Sequence, residues 1–380
     1  MRSQLADPVV VLSSIEWNFT WQRHQALASV LARLSPQVVF VESLPKRIPR
    51  LDELNRISRR LFRSRGHQAE VVPVATQWRP SNLHVLSPVA LPAVYSFLNA
   101  LNRRLFLPRL AEQIERFLSA PPLVINYSPT QAAVDLCRIL QPRALIYDYV
   151  DCWSADPRTP RPILQAHRRM LGMADVVTTP ARFLAEEARQ WTGKPVQVVG
   201  HGVDFDLFNQ LSHEQVRKPA RKLGYFGGIG PYLDYDFLLA LAEQFQILLV
   251  GPLRLTLPPH ENITWRPMVP HRQVVREIAD CDAFVLPYKT DAYAQGVNPI
   301  KLLECFATGR PVVGTPIPAI QQYAEVMMVA ETGQEAVRML RSMDVYESED
   351  KRCRRLQIAR ENSWEMAAEH VLAMVPVLSG

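Results

Sequence analysis

The chain has 380 residues, of which 48% are hydrophobic and 21% are charged, and its mean hydropathy is −0.07. This composition excludes an intrinsically disordered chain and predicts a folded, soluble protein of two domains. No apolar run reaches the roughly 18 residues that a membrane-spanning helix needs, and the apolar segment near the N-terminus is too short for a secretory signal. We therefore expect a cytoplasmic protein.

The charge and the cysteines narrow the class further. The formal net charge is +6, and much of the basic excess falls between Lys46 and Arg116. The five cysteines are scattered and odd in number, and none of them forms a CxxC pair. This pattern argues against a disulfide framework and against a zinc site. We expect reduced thiols, most of them buried.

The chain opens with a strand, a helix and a strand. Val9–Ser13 is a short β-branched run, Arg23–Leu34 has helical spacing of its apolar residues, and Gln37–Glu42 is again strand-like. A βαβ unit of this kind predicts a parallel sheet that binds ligands beyond the carboxyl ends of its strands.

The first loop, SIEWNFTWQRHQ, is rich in side chains that can bind a ligand. If the parallel sheet is correct, these side chains face a cleft: Glu16, Trp17, Trp21, Arg23 and His24. The alternative is that Trp17 and Trp21 pack against the first helix and that His24 satisfies a backbone group.

A basic region follows this unit. Lys46–Arg65 alternates arginine with apolar residues, and Leu83–Leu110 is apolar with interspersed prolines and arginines. An amphipathic basic surface can lie on an anionic membrane, where each cation contributes about 1 kcal/mol. Solvated helix faces explain the same residues, and without other evidence that explanation is favoured. Nucleic-acid binding is not expected, because the aromatic and basic interleaving of such modules does not occur.

Two aspartates follow a predicted strand at the edge of the sheet. Leu123–Tyr127 and Ala144–Tyr147 are strand-like, and the second of them leads into YDYVDCWS. A carboxylate at this edge, partly desolvated, could act as a general base. We assign that role to Asp151, and one of the two aspartates, Asp148 or Asp151, is expected to be structural.

A second α/β unit begins after a polar stretch. We predict an N-terminal Rossmann-like domain over 1–205, a C-terminal one over 206–360, and a last helix over 361–380 that crosses back to the first domain. The second domain starts with strand Lys222–Phe226, which runs into the glycine turn GGIG, Gly227–Gly230. Glycines at such a turn let a phosphate approach the backbone closely.

The helix at Asn298–Gly309 carries the strongest local signal for a ligand. A lysine near a helix N-terminus, here Lys301, suits a phosphate or diphosphate. Glu304 lies one turn further along, where it could accept hydrogen bonds from a ribose. The alternative is an ordinary surface pair between Lys301 and Glu304.

Taken in order, several motifs resemble those of GT-B glycosyltransferases, in particular bacterial polysaccharide enzymes of the teichuronic-acid and exopolysaccharide type, including xanthan glucuronosyltransferase. The resemblance covers nearly the whole chain, and its fold would be two Rossmann-like α/β domains that face a central cleft. The motifs are WNFTWQRHQ, IYDYVDCWS, ADVVTTP, HGVD, GYFGGIGPYLD, LLVGP, LPY and NPIKLLECFATGRPVV.

The resemblance implies a donor site for a nucleotide sugar, with UDP as the expected nucleotide. Lys301 would hold the diphosphate above Gly227 and Gly228, and Glu304 would hold the ribose. The remaining nucleotide-binding positions would be Tyr288, the Met268–Val269 backbone and Asn298. The acceptor would be a glycan or a polyprenyl-linked sugar, and the candidates for its side of the cleft are Glu16, Trp17, Arg23 and Asp148. We therefore expect the protein to contact the inner membrane surface through Arg56–Arg65 and Leu91–Arg109.

The resemblance also bears on mechanism. Many retaining relatives have a glutamate eight residues before the one that holds the ribose, and this chain has Gly296 there. We therefore expect inversion with Asp151 as the base, and neither a cofactor nor a metal ion. Asp234, in DYD at Asp234–Asp236, is expected to cap a helix. The alternatives are a retaining enzyme and a non-catalytic protein that binds a nucleotide sugar.

Overall fold

The computed structural model describes residues 5–45, 76–92, 95–154, 159–213, 219–291, 294 and 296–375. The basic run Lys46–Arg65, which includes the predicted membrane contact Arg56–Arg65, lies outside the described residues. The described part of the chain forms two parallel sheets with helices packed on them, so the predicted α/β architecture is confirmed.

The N-terminal sheet has seven strands in the order β3-β2-β1-β4-β5-β6-β7, and every neighbouring pair is parallel. Its strands are β1 (Val9–Leu12), β2 (Val38–Val41), β3 (Leu83–Leu86), β4 (Leu123–Asn126), β5 (Ala144–Asp148), β6 (Val176–Thr179) and β7 (Val196–Val198). Its helices are α1 (Arg23–Leu34), α2 (Ser96–Leu101), α3 (Leu107–Glu115), α4 (Gln131–Leu140), α5 (Arg161–Met173) and α6 (Arg182–Arg189), with a π-helical turn at Asn102–Phe106 between α2 and α3.

The C-terminal sheet has six parallel strands in the order β10-β9-β8-β11-β12-β13. They are β8 (Lys222–Phe226), β9 (Gln246–Val250), β10 (Ile263–Arg266), β11 (Ala283–Leu286), β12 (Val312–Gly314) and β13 (Met328–Val329). The helices of this part are α7 (Phe205–Asn209), α8 (Tyr235–Ala242), α9 (His271–Glu277), α10 (Ile300–Ala307), α11 (Pro318–Gln321), α12 (Gly333–Arg341), α13 (Met343–Tyr346) and α14 (Glu349–Glu361), with a 3-10 turn at Gln210–His213.

Both sheets reverse their strand order next to their first strand, between β1 and β4 in one and between β8 and β11 in the other. In a doubly wound sheet this reversal opens a crevice beyond the carboxyl ends of the strands, where ligands bind. The fold therefore provides one crevice in each domain.

Most predicted elements are found within a few residues of their bounds. The helix Gln131–Leu140 and the strand Lys222–Phe226 have the predicted bounds, and Asp234 caps α8 by accepting a hydrogen bond from Phe237 N at 2.9 Å. Strand β3 was not predicted. The sequence Val274–Asp280 predicts a short helix, and the corresponding helix α9 begins three residues earlier, at His271. All five cysteines are free thiols and four are buried, as expected.

The last helix, α15 (Trp364–Ala373), lies on the N-terminal domain. Its buried residues Trp364, Ala367, Ala368 and Val371 share an apolar core with β1, β2 and α1. The two connections between the domains meet where Val203 pairs with Ser363 in a parallel β-bridge. A Cβ atom at Gly202 would lie 2.5 Å from Trp364 N, so this junction requires a residue without a side chain.

We expect Gly202→Ala to destabilise the protein by about 1–3 kcal/mol, because the new methyl group would force apart two backbones in contact. The measurement is the free energy of unfolding in urea. The control is Gly172→Ala, since a Cβ there meets nothing within 4 Å and alanine favours the helix around it. Equal stability of both variants would contradict the role of the junction.

Candidate active site

A cavity of about 360 Å³ lies between the two domains, beyond the carboxyl ends of both sheets. The predicted site residues that line it come from both halves of the chain. They are Trp21, Arg23, His24 and Asp151 from the N-terminal domain, and Gly227, Gly228, Met268, Val269, Tyr288, Asn298, Lys301 and Glu304 from the C-terminal domain.

Lys301 lies against the glycine turn that follows β8. A Cβ atom at Gly227 would overlap the Cε atom of Lys301, and Gly227 has a φ of +124° that other residues rarely adopt. Burial lowers the pKa of Lys301, and the negative charge of Glu304 partly offsets this effect. A desolvated ammonium group beside a bare backbone turn is suited to an anion such as a phosphate.

The helix that carries Lys301 starts later than predicted. Helix α10 begins at Ile300, and no side chain caps it. Asn298 donates a hydrogen bond from Nδ2 to the carbonyl of Pro180 at 2.8 Å, so its side-chain amide joins the two domains. The expectation that Asn298–Pro299 opens the helix was wrong by about one residue.

Glu304 lines the cavity but has a protein partner. Its Oε1 atom is 2.8 Å from Nε2 of His271, and both side chains are at most 10% exposed. The surface pair between Lys301 and Glu304 that the sequence left open is therefore not formed. His271 is the first residue of α9. It was not recognised as a site residue because the sequence predicts that this helix starts at Val274.

The other predicted donor residues surround the same space. Tyr288 is 5% exposed, and the carbonyl of Gly228 accepts a hydrogen bond from the Tyr225 hydroxyl at 2.7 Å. Met268 and Val269 lie on the loop between β10 and α9, and Thr20 of the N-terminal domain contacts the Met268 sulfur at 3.6 Å. This loop is therefore held from both sides of the cleft.

Asp151 lies on the opposite wall from Lys301, just after β5. Gly296 faces the same wall, because a Cβ atom there would lie 3.3 Å from Cβ of Cys152. Gly296 stands where retaining relatives carry a glutamate, and it therefore lies next to Cys152, the residue that follows Asp151.

Asp148 and Arg23 form a buried ion pair. Arg23 Nε donates to Asp148 Oδ2 at 2.6 Å, and both residues are 1% exposed. Thr178 donates to the second oxygen of Asp148 at 2.9 Å, and Arg23 Nη1 donates to the carbonyl of Gly200 at 2.7 Å. Asp148 does not line the cavity, so it is the structural one of the two aspartates.

The expectation that the first loop faces the cleft was wrong for two residues. Trp17 is 4% exposed and packs edge-on against Phe40 in the core, at 5.0 Å between ring centroids. Glu16 is exposed and does not line the cavity. Trp21 and His24 do line it, as expected, and the ring of His24 stacks on Tyr127 at 3.9 Å.

Two cavity residues had no recognised role in the sequence. Burial, together with the charges of Arg23 and Lys301, lowers the pKa of His201 to about 3, so its ring is neutral at pH 7. Arg254 follows β9, and its backbone N–H donates to Ile229 in the glycine turn at 2.9 Å. Its guanidinium carbon is 5.3 Å from the ring centroid of Phe19, and it forms no ion pair with any described residue.

Arg254 could have been suspected because it follows Gly251–Pro252, at the end of a predicted strand. Within the described ranges, no group of three or more His, Cys, Asp or Glu side chains could hold a metal ion. No helix in that part of the chain is both long and apolar enough to cross a membrane.

Sequence comparison gives two matches. Residues 232–341 match the family described as glycosyl transferases group 1. TuaH of Bacillus subtilis (strain 168), provisionally named a teichuronic acid biosynthesis glycosyltransferase, is 31% identical over 206 residues, which cover 46% of this chain and 51% of TuaH. The chain thus matches about half the length of this curated relative.

Solved structures resemble the chain over nearly its whole length. Anabaena HepE in complex with UDP and glucose has a TM-score of 0.65 at 13% identity, and it covers 98% of this chain and 100% of HepE. The trehalose 6-phosphate synthase of Burkholderia multivorans has a TM-score of 0.62 at 11% identity, covering 98% of each chain. WaaG, a glycosyltransferase of lipopolysaccharide biosynthesis, has a TM-score of 0.61 at 11% identity, covering 97% of this chain and 100% of WaaG.

These likenesses confirm the fold inferred from the sequence. The chain has the GT-B fold, two Rossmann-like domains that face a central cleft, and its match to glycosyl transferases group 1 lies in the second of these domains.

Proposed function

We propose that this protein is a glycosyltransferase of polysaccharide biosynthesis that moves a sugar from UDP to a glycan or lipid-linked acceptor. The observation that carries the proposal is the placement of Lys301 against the glycine turn, across one cavity from Asp151. A transfer of this kind needs positive charge at the departing diphosphate and a base at the acceptor hydroxyl. The cavity offers both.

On the donor side, Lys301 packs against the glycine turn at Gly227–Gly230, and Arg254, whose backbone is bonded to this turn, lines the same cavity. Two cations in one cavity match the charge of a diphosphate. Glu304 is placed for a ribose hydroxyl, and the Met268–Val269 backbone for the base. The complexes of HepE with UDP and with UDP-glucose support UDP as the nucleotide.

We propose a single displacement with inversion. Asp151 takes the proton of the acceptor hydroxyl, whose oxygen forms a bond to the anomeric carbon. The bond between that carbon and the β-phosphate oxygen breaks, and UDP leaves with its new charge beside Lys301. Gly296 supports inversion, because no carboxylate stands at the position that retaining relatives use. A retaining reaction is the alternative enzyme mechanism.

The negative charge of the diphosphate is met by Lys301 and Arg254, so we propose that transfer needs no metal ion. A non-catalytic nucleotide-sugar-binding protein is the second candidate function, favoured by the same absence of a glutamate at position 296. The two candidates differ in whether UDP is released from a UDP-sugar donor in the presence of acceptor.

We expect UDP at a concentration 100 times its Kd to stabilise the protein by about 2.7 kcal/mol, because it binds only the folded state. Lys301→Ala should weaken UDP binding about 10- to 100-fold, since a charged hydrogen bond contributes about 1.5–3 kcal/mol. Thermal shift and calorimetry measure both effects, in buffer with and without EDTA.

The matched control for this binding experiment is Lys194→Ala, because Lys194 is exposed and lies outside the cavity. A screen of UDP, GDP, dTDP and CMP identifies the base. Stabilisation by another nucleotide would reassign the donor, and stabilisation by none would contradict the proposed function. Loss of UDP binding in EDTA would contradict the proposed independence of metal.

We expect Asp151→Asn to slow sugar transfer by about 10²- to 10⁴-fold while UDP affinity is unchanged, because the amide cannot accept the acceptor proton. Donor turnover measures the loss, and NMR of the product gives its anomeric configuration. Asp236→Asn, at an exposed position outside the cavity, is the control. Transfer at the wild-type rate would exclude Asp151 as the base, and a retained anomeric configuration would exclude inversion.

We also propose that the N-terminal domain touches the inner membrane surface through α2 and the π-helical turn. Phe97, Leu101 and Leu105 recur every four residues and are 62%, 39% and 46% exposed. Arg103 and Arg104 are exposed beside them, whereas Leu107 and Leu110 of α3 face the core. Exposed apolar side chains flanked by arginines fit an anionic lipid surface.

The double variant Phe97→Ser, Leu101→Ser should bind anionic vesicles at least tenfold more weakly, because burying each side chain contributes about 1.5–3 kcal/mol. Co-sedimentation with vesicles containing phosphatidylglycerol measures the binding. Val345→Ser is the control, since Val345 is 74% exposed on the C-terminal domain. Equal sedimentation of the wild type and the double variant would contradict this surface.

A further inference from the structure

A series of contacts crosses the cleft and ends on the residue proposed to hold the ribose. His271 Nε2 is 2.8 Å from Oε1 of Glu304. An ionised carboxylate only accepts hydrogen bonds, so the imidazole is the donor. Glu304 has no other hydrogen-bond partner among the described residues. Its second oxygen is therefore available to a ligand.

His271 is itself held by the N-terminal domain. Its ring stacks on Trp21 with 5.2 Å between centroids and 13° between planes. Its backbone N–H donates to Oε1 of Gln77 at 3.0 Å. Gln77 in turn is fixed in the N-terminal domain, because its backbone N–H donates to Asn18 and its Nε2 donates to the carbonyl of Phe19.

Trp21 packs against the buried core of the N-terminal domain. Trp21 packs edge-on against Trp17 at 5.9 Å, and Trp17 is buried in the core beside Phe40. The N-terminal domain makes two contacts to His271, through the stacked ring of Trp21 and through the side chain of Gln77. Both contacts exist only while the two domains lie together. Separation of the domains removes both contacts and leaves the imidazole packed against Phe208, at 5.5 Å between ring centroids, with its hydrogen bond to Glu304 less restrained.

We infer that His271 is a positioning residue that couples closure of the cleft to binding of the donor ribose. The inference rests on the proposed function. When the domains close, Trp21 and Gln77 fix the imidazole, the imidazole fixes Glu304, and Glu304 presents its second oxygen to the ribose hydroxyls. Donor affinity then depends on residues of the acceptor-binding domain, and a ligand that closes the cleft tightens donor binding.

Two substitutions at His271 separate the hydrogen bond from packing. His271→Phe keeps an aromatic ring against Trp21 but cannot donate to Glu304, whereas His271→Gln retains an amide donor near the position of Nε2. We expect UDP to bind His271→Phe about tenfold more weakly and His271→Gln within about threefold of the wild type. In steady-state kinetics the donor KM should rise while kcat falls less than threefold. Wild-type affinity in His271→Phe would overturn the inference.

A double-mutant cycle tests the path from Trp21 to Glu304. Trp21 itself lines the cavity, so its single substitution does not separate direct from indirect effects. Trp21→Ala should weaken UDP binding about fivefold in the wild-type background and less than twofold in the Glu304→Ala background. Equal losses in the two backgrounds would show that Trp21 does not act through Glu304, and would overturn the coupling.

A measurement without nucleotide separates this inference from the proposed function. In the ligand-free protein the imidazole N–H of His271 should be visible by NMR and protected from exchange, and Trp21→Ala should remove that protection. Failure of the wild-type protein to bind any nucleotide would overturn the proposed function and the coupling to ribose, but loss of protection in Trp21→Ala would still support the positioning of His271 by Trp21. Unchanged protection in Trp21→Ala would overturn the inference whatever the nucleotide result.

Discussion

The buried ion pair between Arg23 and Asp148 fixes the N-terminal half of the cleft. It joins the start of α1 to the end of β5, and Arg23 also holds the carbonyl of Gly200 where the chain leaves this domain. Removal of one partner from such a pair leaves an uncompensated buried charge, which costs about 3–5 kcal/mol. The same interaction therefore sets two positions. One is that of Asp151, three residues after Asp148, and the other is the point at which the interdomain connection leaves this domain.

This interaction also explains why Asp148 and Asp151, which lie three residues apart, have different surroundings. Asp148 has its charge balanced by Arg23 and a hydrogen bond from Thr178, so neither of its oxygens is directed to chemistry. Asp151 lies beyond the end of the strand, on the wall of the cavity. Local sequence places both at the sheet edge, but only the ion pair of Asp148 and the course of the cavity wall show which of them is buried and which lines the cavity.

Much of the fold follows from local signals. Periodicity and turn residues gave α4, β8 and the cap at Asp234, and the order of motifs gave the GT-B arrangement. Strand β3 was missed because Leu83–Leu86 is four residues long and contains a histidine; its identity comes from pairing with β2. A short strand of this kind is stabilised by its neighbours rather than by its own sequence.

The site was predictable on its donor side and less so across the cleft. Lys301 and Gly227 belong to recognisable turns and helices, and the structure brings them into contact. The stacking of Trp21 on His271 joins residues 250 positions apart, for which neither segment carries a local signal. Trp17 was misplaced for a related reason, because an aromatic residue in a loop can pack inward or outward and its own sequence does not decide which.

The bridge between Val203 and Ser363 has a mechanical consequence for the whole molecule. The chain passes between the domains twice, and the two passages lie side by side at this point. Two adjacent connections restrict twisting of one domain against the other more than a single connection would. A side chain introduced at Gly202 would therefore disturb both passages at once.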